Sequence, residues 1–149
     1  MSLLDALSEV LEVVKTIDPA DPEAAAKLET RLPAASLAPL AAKFRAGVED
    51  GSLCGRGELP VRWSRVAKDA GGVSIDAVSM NGAGPGHEHP EGEIDLCFAV
   101  DGDPRFDGNP PGWTVYPPGS WHVPTVTGGT MDILYFLPGG AIRFGPRQA

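Results

Sequence analysis

Apolar residues recur with a helical period over the first fifty positions and with shorter, strand-like runs afterwards. Leu3, Leu4, Leu7, Val10, Leu11 and Val14 follow i, i+3, i+4 spacing, which places them on one face of a helix. Ser2 supplies an N-cap, and Asp18-Pro19 stops the run. "DPEAAAKLETRL" predicts a second helix, with Asp21 as N-cap and Pro22 at the first helical position, where its missing N–H costs nothing. "AASLAPLAAKFRAGVEDG" predicts a third, with Pro39 near its start and Gly51 after its end. Beyond Gly51 come β-rich runs: "LPVRWSRVAK", "GVSIDAVSM", "EIDLCFAV", "WTVYPPG", "WHVPTV", "MDILYFLPG" and "AIRF". Turn-forming stretches such as "NGAGPG", "DGDPRFDGNPPG" and "TGG" separate them. At least six strands so spaced predict an all-β barrel or double-sheet sandwich. The expected layout is a helical segment over 1–52 and a β-barrel over 53–149. The helices either pack on the barrel or serve a dimer interface, and the sequence leaves both open.

Composition narrows the function classes. A chain of 149 residues makes one domain with a real core. Its net charge of −8 and pI near 4.7 argue against nucleic-acid binding and against a polybasic grip on membranes. No apolar run approaches the roughly 20 residues that span a bilayer. The N-terminus carries Asp5, Glu9 and Glu12 and lacks a basic stretch, so it does not read as a signal peptide. Cys54 and Cys97 stand far apart, so a disulfide framework is not expected and a reducing cytoplasm fits.

Candidate chemistry concentrates in "GPGHEHPEGEIDLCFAVDG". The chain has 3 histidines, and two of them, His87 and His89, lie here with Glu93 four residues on. In a strand, i and i+2 share a face, so both imidazoles project together. The "PEG" turn then lets Glu93 open the next strand beside them. The third histidine, His122, follows the Pro117-Pro118-Gly119 turn in "YPPGSWH". Imidazole nitrogens and a carboxylate oxygen suit a divalent first-row metal. Any one of these histidines alone would read as a hydrogen-bonded structural residue. All three together, with the acid, read as a ligand set.

The pattern His-x-His-x-x-x-Glu, followed by Pro-x-Gly-x-x-His, resembles the two motifs of the cupin superfamily over roughly residues 60 to 145. The resemblance implies a double-stranded β-helix, or jelly-roll barrel, with His87, His89, Glu93 and His122 as metal ligands. Three turn positions depart from it: Asn81 and Val100 stand where glycine is usual, and Val126 where asparagine is common. The stretches "GEIDLCFA" and "GWTVYPPGSWHVPTVTGG", behind a helical N-terminal segment, are further similar to the family of 4-hydroxylaminobenzoate lyase. That resemblance implies conversion of 4-hydroxylaminobenzoate to 3,4-dihydroxybenzoate and ammonia. It also implies one divalent transition metal (Fe, Mn, Ni or Zn), a small aromatic carboxylate as substrate and a bacterial homodimer.

Around the metal, alternation puts Asp95 and then Cys97 on the face of Glu93. Asp95 is the candidate for proton transfer, with a surface carboxylate as the alternative. Cys97 reads as a packing residue. Trp121 is a candidate pocket wall, and Trp113 reads as core. Arg62, Arg65, Arg105 and Arg143 are candidates for a carboxylate clamp, since a guanidinium grips carboxylate bidentately; Arg62 and Arg105 are placed foremost. An Fe(II)-dependent dioxygenase and a non-catalytic ligand-binding barrel are the competing functions. Oxygen consumption during turnover separates the first from a lyase, and binding without turnover marks the second.

Overall fold

The structure is a computed structural model and describes residues 2–147. Ser2 opens the helical segment with a capping box. Its Oγ accepts from the Asp5 N–H at 3.1 Å, and the Asp5 carboxylate accepts from the Ser2 N–H at 3.2 Å. Helices α1 (Leu3–Ala6) and α2 (Ser8–Val14) follow, separated by Leu7. They bury Leu3, Leu7, Val10, Leu11 and Val14, while Leu4 is exposed. The third element, α3, runs Ala24–Arg31 and starts later than Pro22. Asp21 accepts the Glu23 N–H at 2.8 Å and so shapes the turn before the helix rather than capping it. A 3₁₀ turn (Ala34–Leu37) leads into α4 (Ala38–Asp50). Gly51 ends α4 at φ 84°, a left-handed position that favours glycine.

Among the described residues nine strands follow: β1 (Arg56–Glu58), β2 (Val61–Ala67), β3 (Val73–Met80), β4 (His87–His89), β5 (Glu93–Phe106), β6 (Gly112–Tyr116), β7 (Ser120–His122), β8 (Val126–Pro138) and β9 (Arg143–Phe144). All ladders are antiparallel. One sheet has the order β1-β2-β3-β8-β5-β6, the other β7-β4-β9. This is the mainly-β, double-sheet jelly roll that the strand spacing and motif resemblance predicted.

Two stretches predicted as turns are strand instead. "DGDPRF" continues β5, and "TGG" lies within β8. The two strands stay paired through register shifts between Ala99 and Asp101 and between Gly102 and Arg105. A Cβ on Gly129 would sit 2.1 Å from the Asp101 carbonyl oxygen. Glycine is there because two backbones approach closely, not because the chain reverses.

The centre of the large sheet, β3, β8 and the first half of β5, is buried on both faces. Val73, Ile75, Ala77, Ile94, Leu96, Phe98, Leu134 and Phe136 share one core with the helices, through Leu7, Leu28, Phe44 and Val48. The alternate residues Val78, Met80, Cys97, Met131, Ile133 and Tyr135 form a second cluster inside the barrel. The helices therefore pack on the outer face of the sheet. Arg45 of α4 fastens them: its Nε and Nη2 donate to the two Asp132 oxygens at 2.9 and 2.8 Å, and Nη2 also donates to Ser79 Oγ at 3.1 Å. Asp132 is only 1% exposed, so without Arg45 it would be a dry, unpaired carboxylate. Replacement Arg45→Met should lower unfolding free energy by about 3 kcal/mol. The double variant Arg45→Met/Asp132→Leu should recover most of that loss in urea unfolding. Additive losses in the double variant would show that the pair is not what holds the layer.

Candidate metal centre

The short strand β4 has His87 and His89 pointing inward and Glu88 outward. β7 pairs with it so that His87 lies opposite His122 and His89 opposite Ser120. Gly92, at φ 89°, closes the "PEG" turn, and a Cβ there would meet Pro19 at 2.5 Å. The turn delivers Glu93, fully buried, to the first position of β5. The result is a cluster of His87, His89, Glu93 and His122 whose ligand atoms all lie within 4.8 Å of one another.

Each imidazole is oriented from behind. His87 Nδ1 faces the Pro85 carbonyl at 3.2 Å. His89 Nδ1 faces Ser120 Oγ at 2.9 Å, and that hydroxyl donates to the Pro117 carbonyl at 2.6 Å. His122 Nδ1 faces the Asp107 carboxylate at 2.5 Å. All three partners are acceptors, so the Nδ1 atoms carry protons and the three Nε2 atoms turn toward the centre. His87 Nε2 lies 3.2 Å from Glu93 Oε1; His89 and His122 Nε2 lie 3.3 and 3.4 Å from Oε2. His87 and His122 Nε2 are only 3.1 Å apart. His89 Nε2 and Glu93 Oε2 are buried without a hydrogen-bond partner. Converging lone pairs and a buried carboxylate need positive charge between them. A divalent cation fits this donor set.

A proton fills part of that need when no metal is bound. Burial opposes charge on His122, but Asp107 and Glu93 outweigh it and hold its pKa up at about 9. Burial likewise opposes charge on Glu93, but the three imidazoles outweigh it and hold its pKa well below the usual carboxylate range. Asp95 faces the same interior, as alternation predicts. Burial, reinforced by the Glu93 charge, pushes its pKa well up.

Asp107 is the functional neighbour the sequence reading missed. It sits at φ 51° in the turn after β5, accepts the Thr125 N–H at 2.8 Å, and accepts the Tyr116 hydroxyl as well as His122. Tyr116, also missed, stacks its ring on His89 with centroids 5.3 Å apart and lies 4.2 Å from that of His122. In the sequence, Asp107 is one more turn-forming Asp before a Gly. The only cue is that a non-glycine residue accepting a left-handed conformation is often Asp or Asn.

A cavity of about 450 Å³ leads from solvent to His87. Val61, Trp63 and Arg65 of β2 and Asp76, Val78 and Met80 of β3 line one side, and Tyr135 and Phe144 line others. The foremost binding candidates lie elsewhere. Arg62 projects from the opposite face of β2, beside Cys54 and Arg45. Arg105 is exposed on the outer arm of β5. Trp121 alternates with His122 and so points outward, where its Nε1 donates to the Gly145 carbonyl at 2.9 Å and its ring covers Gly86. Arg143 pairs with Glu88 at 3.5 Å, also outside. Asp95 is fully buried and does not line the cavity. Trp113 is core and donates to the Leu32 carbonyl at 2.8 Å. Cys97 is a buried free thiol whose pKa burial pushes up, in keeping with a packing role. No helix among the described residues is long and apolar enough to cross a membrane.

An antiparallel jelly roll that gathers three inward imidazoles and one carboxylate, with one of the imidazoles in the wall of a cavity, is a cupin-type barrel. The chain matches the family described as PnbB, 4-hydroxylaminobenzoate lyase, over residues 6–144, and it belongs to that family. A 4-hydroxylaminobenzoate lyase from Pseudomonas putida is 32% identical over 83 residues, covering 53% of this chain and 47% of that protein. Another, from Nocardioides sp. (strain LMS-CY), is 34% identical over 79 residues, covering 48% and 47%. The chain thus spans about half the length of the curated relatives it matches. Among solved structures, an RmlC-like cupin protein from Ralstonia eutropha JMP134 aligns with a TM-score of 0.41 at 16% identity, covering 55% of this chain and 58% of that one. The polyketide cyclase RemF from Streptomyces resistomycificus aligns at 0.42 and 18%, covering 60% and 74%.

Two outcomes test the centre. Asp107→Ala should weaken binding of a divalent ion such as Zn²⁺ by about 10- to 100-fold, the usual effect of losing a residue that orients a ligand histidine. Chelator competition measures it, and unchanged affinity would reduce Asp107 to a turn residue. A metal must also displace the His122 proton, which a pKa raised to about 9 keeps largely bound at neutral pH. Apparent affinity should therefore rise with pH through neutrality and level off above about 9. Calorimetry in buffers of different ionisation enthalpy should read about one proton released per ion at pH 7.

Proposed function

We propose that this chain is a metal-dependent lyase that converts 4-hydroxylaminobenzoate, with one water, to 3,4-dihydroxybenzoate and ammonia. The observation that carries the reading is an apolar-walled cavity reaching His87 of a four-ligand centre, in a chain of the lyase family. The net reaction balances without an external oxidant or reductant: an N–O bond is lost, a ring C–O bond is gained, and the C–N bond is hydrolysed. A divalent metal on His87, His89, Glu93 and His122 would supply Lewis acidity at the hydroxylamine end of the substrate. The chain's own part is positioning. Val78, Met80, Tyr135 and Phe144 give the ring apolar contact and keep bulk water off it. Pro85, Ser120 and Asp107 hold the three imidazoles so that their Nε2 atoms stay aimed at the centre.

Asp95 enters this reading as a positioning residue. It is fully buried beside Glu93 and off the cavity wall, so in this reading it acts through Glu93 rather than on the substrate. The same reading places the protein in bacterial small-aromatic catabolism, as a homodimer in a reducing cytoplasm where Cys54 and Cys97 stay free.

The test is anaerobic incubation of protein of known metal content with 4-hydroxylaminobenzoate, with ammonia and oxygen both followed. Ammonia should appear without oxygen, and His122→Ala should abolish it. A strict need for oxygen would support a dioxygenase instead. Asp95→Asn should retain ammonia formation to within about tenfold, whereas a loss of about 100-fold or more is what removal of a proton-transfer group produces.

A further inference from the structure

Arg65 is the only cationic side chain lining the cavity among the described residues. Its Nε donates to Asp76 Oδ1 at 2.5 Å. Among the described residues, no protein group accepts from its two Nη atoms. A guanidinium held by its Nε keeps its Nη pair free as a planar fork, the geometry that matches a carboxylate. Arg65 is about half exposed, whereas Asp76 is largely covered, at 48% and 17% side-chain exposure. The free edge is therefore the accessible one.

Its place in the sheet sets how a ligand would lie. Arg65 pairs across the ladder with Asp76, and Asp76 with Tyr135. Two strand spacings, about 10 Å along the sheet, separate Arg65 from Tyr135. The Tyr135 ring is in turn 6.4 Å from that of His87. A cation at one side of the cavity and the ligand cluster at the other, with apolar walls between, describe a slot for a flat molecule bearing different groups at its two ends.

We propose that Arg65, held by Asp76, is the carboxylate anchor of this cavity. Its Nη pair grips the acid of an aromatic monocarboxylate and turns the opposite ring substituent toward His87. This rests on the lyase reading for what happens at the far end, and it adds which residue selects an acid over a neutral analogue. Arg62 and Arg105 have no part in it.

The experiment is a calorimetric binding titration of metal-loaded protein. The probes are 4-aminobenzoate and 4-aminobenzamide, which have no N–O bond to break. Wild type should bind the acid about tenfold or more tighter than the amide. Arg65→Met should weaken the acid by about 10- to 100-fold, the range for a lost charged hydrogen bond, and leave the amide within about twofold. Arg65→Lys, a point charge without the fork, should fall between, and it carries the comparison if Arg65→Met does not fold. An acid preference that survives Arg65→Met, or none in wild type, overturns the anchor. Ammonia formation with an Arg65-independent acid preference would sink the anchor alone. An Arg65-dependent preference without ammonia would sink the lyase reading and leave the anchor standing.

Discussion

Three imidazoles and a carboxylate face one another in a largely buried cluster, and that convergence demands a positive charge. A protein made only for stability would not place His87 and His122 Nε2 atoms 3.1 Å apart beside an ionised Glu93. Much of the surrounding structure serves to hold this arrangement. Pairing of β4 with β7 brings His87 to His122. The Gly92 turn returns Glu93 to both. Separate acceptors then fix each ring from behind, so that no imidazole can turn its Nε2 away to find an easier partner.

Such a centre also needs walls that do not yield. β3, β8 and the first half of β5 are buried on both faces because two different layers cover them. The helices cover the outside, and Arg45 ties α4 to a carboxylate that the sheet would otherwise bury alone. The inside is left free to alternate packing residues with functional ones. Glu93, Asp95 and Cys97 project inward from the strand that sends Ile94, Leu96 and Phe98 toward the helices. The helical segment thus acts on the site at one remove: it makes the sheet that carries the ligands a buried, rigid wall. The cavity shows the same economy of polar groups. Its walls are chiefly apolar, with one ion pair at one side and His87 at the other, so a ligand is oriented by few contacts.

What could be read from residues alone was whatever depended on short-range order. The left-handed Gly51, the i, i+2 sharing of a face by His87 and His89 and the turn before Glu93 are all set within a few residues, and each appears in the structure; so does the stripe of Leu3 to Val14, though broken at Leu7 and without Leu4. Asp107 was not legible, because its importance lies in meeting His122 across fifteen residues of chain. The choice among arginines failed for a related reason. Arg62 and Arg65 stand in one strand, and only knowing which strand face is interior separates a cavity residue from one beside Cys54.

The sequence by itself therefore pointed to the four residues that cluster, His87, His89, Glu93 and His122, and to the class of barrel, since strand periodicity and the resemblance of two short motifs can be read along the chain. Tertiary structure alone decided which groups orient those ligands, which wall carries the cation, and that "DGDPRF" and "TGG" are paired strand rather than turn. Those outcomes depend on contacts between segments distant in sequence. Such contacts leave no periodic trace, because a single side chain or a single close approach of two backbones settles each of them.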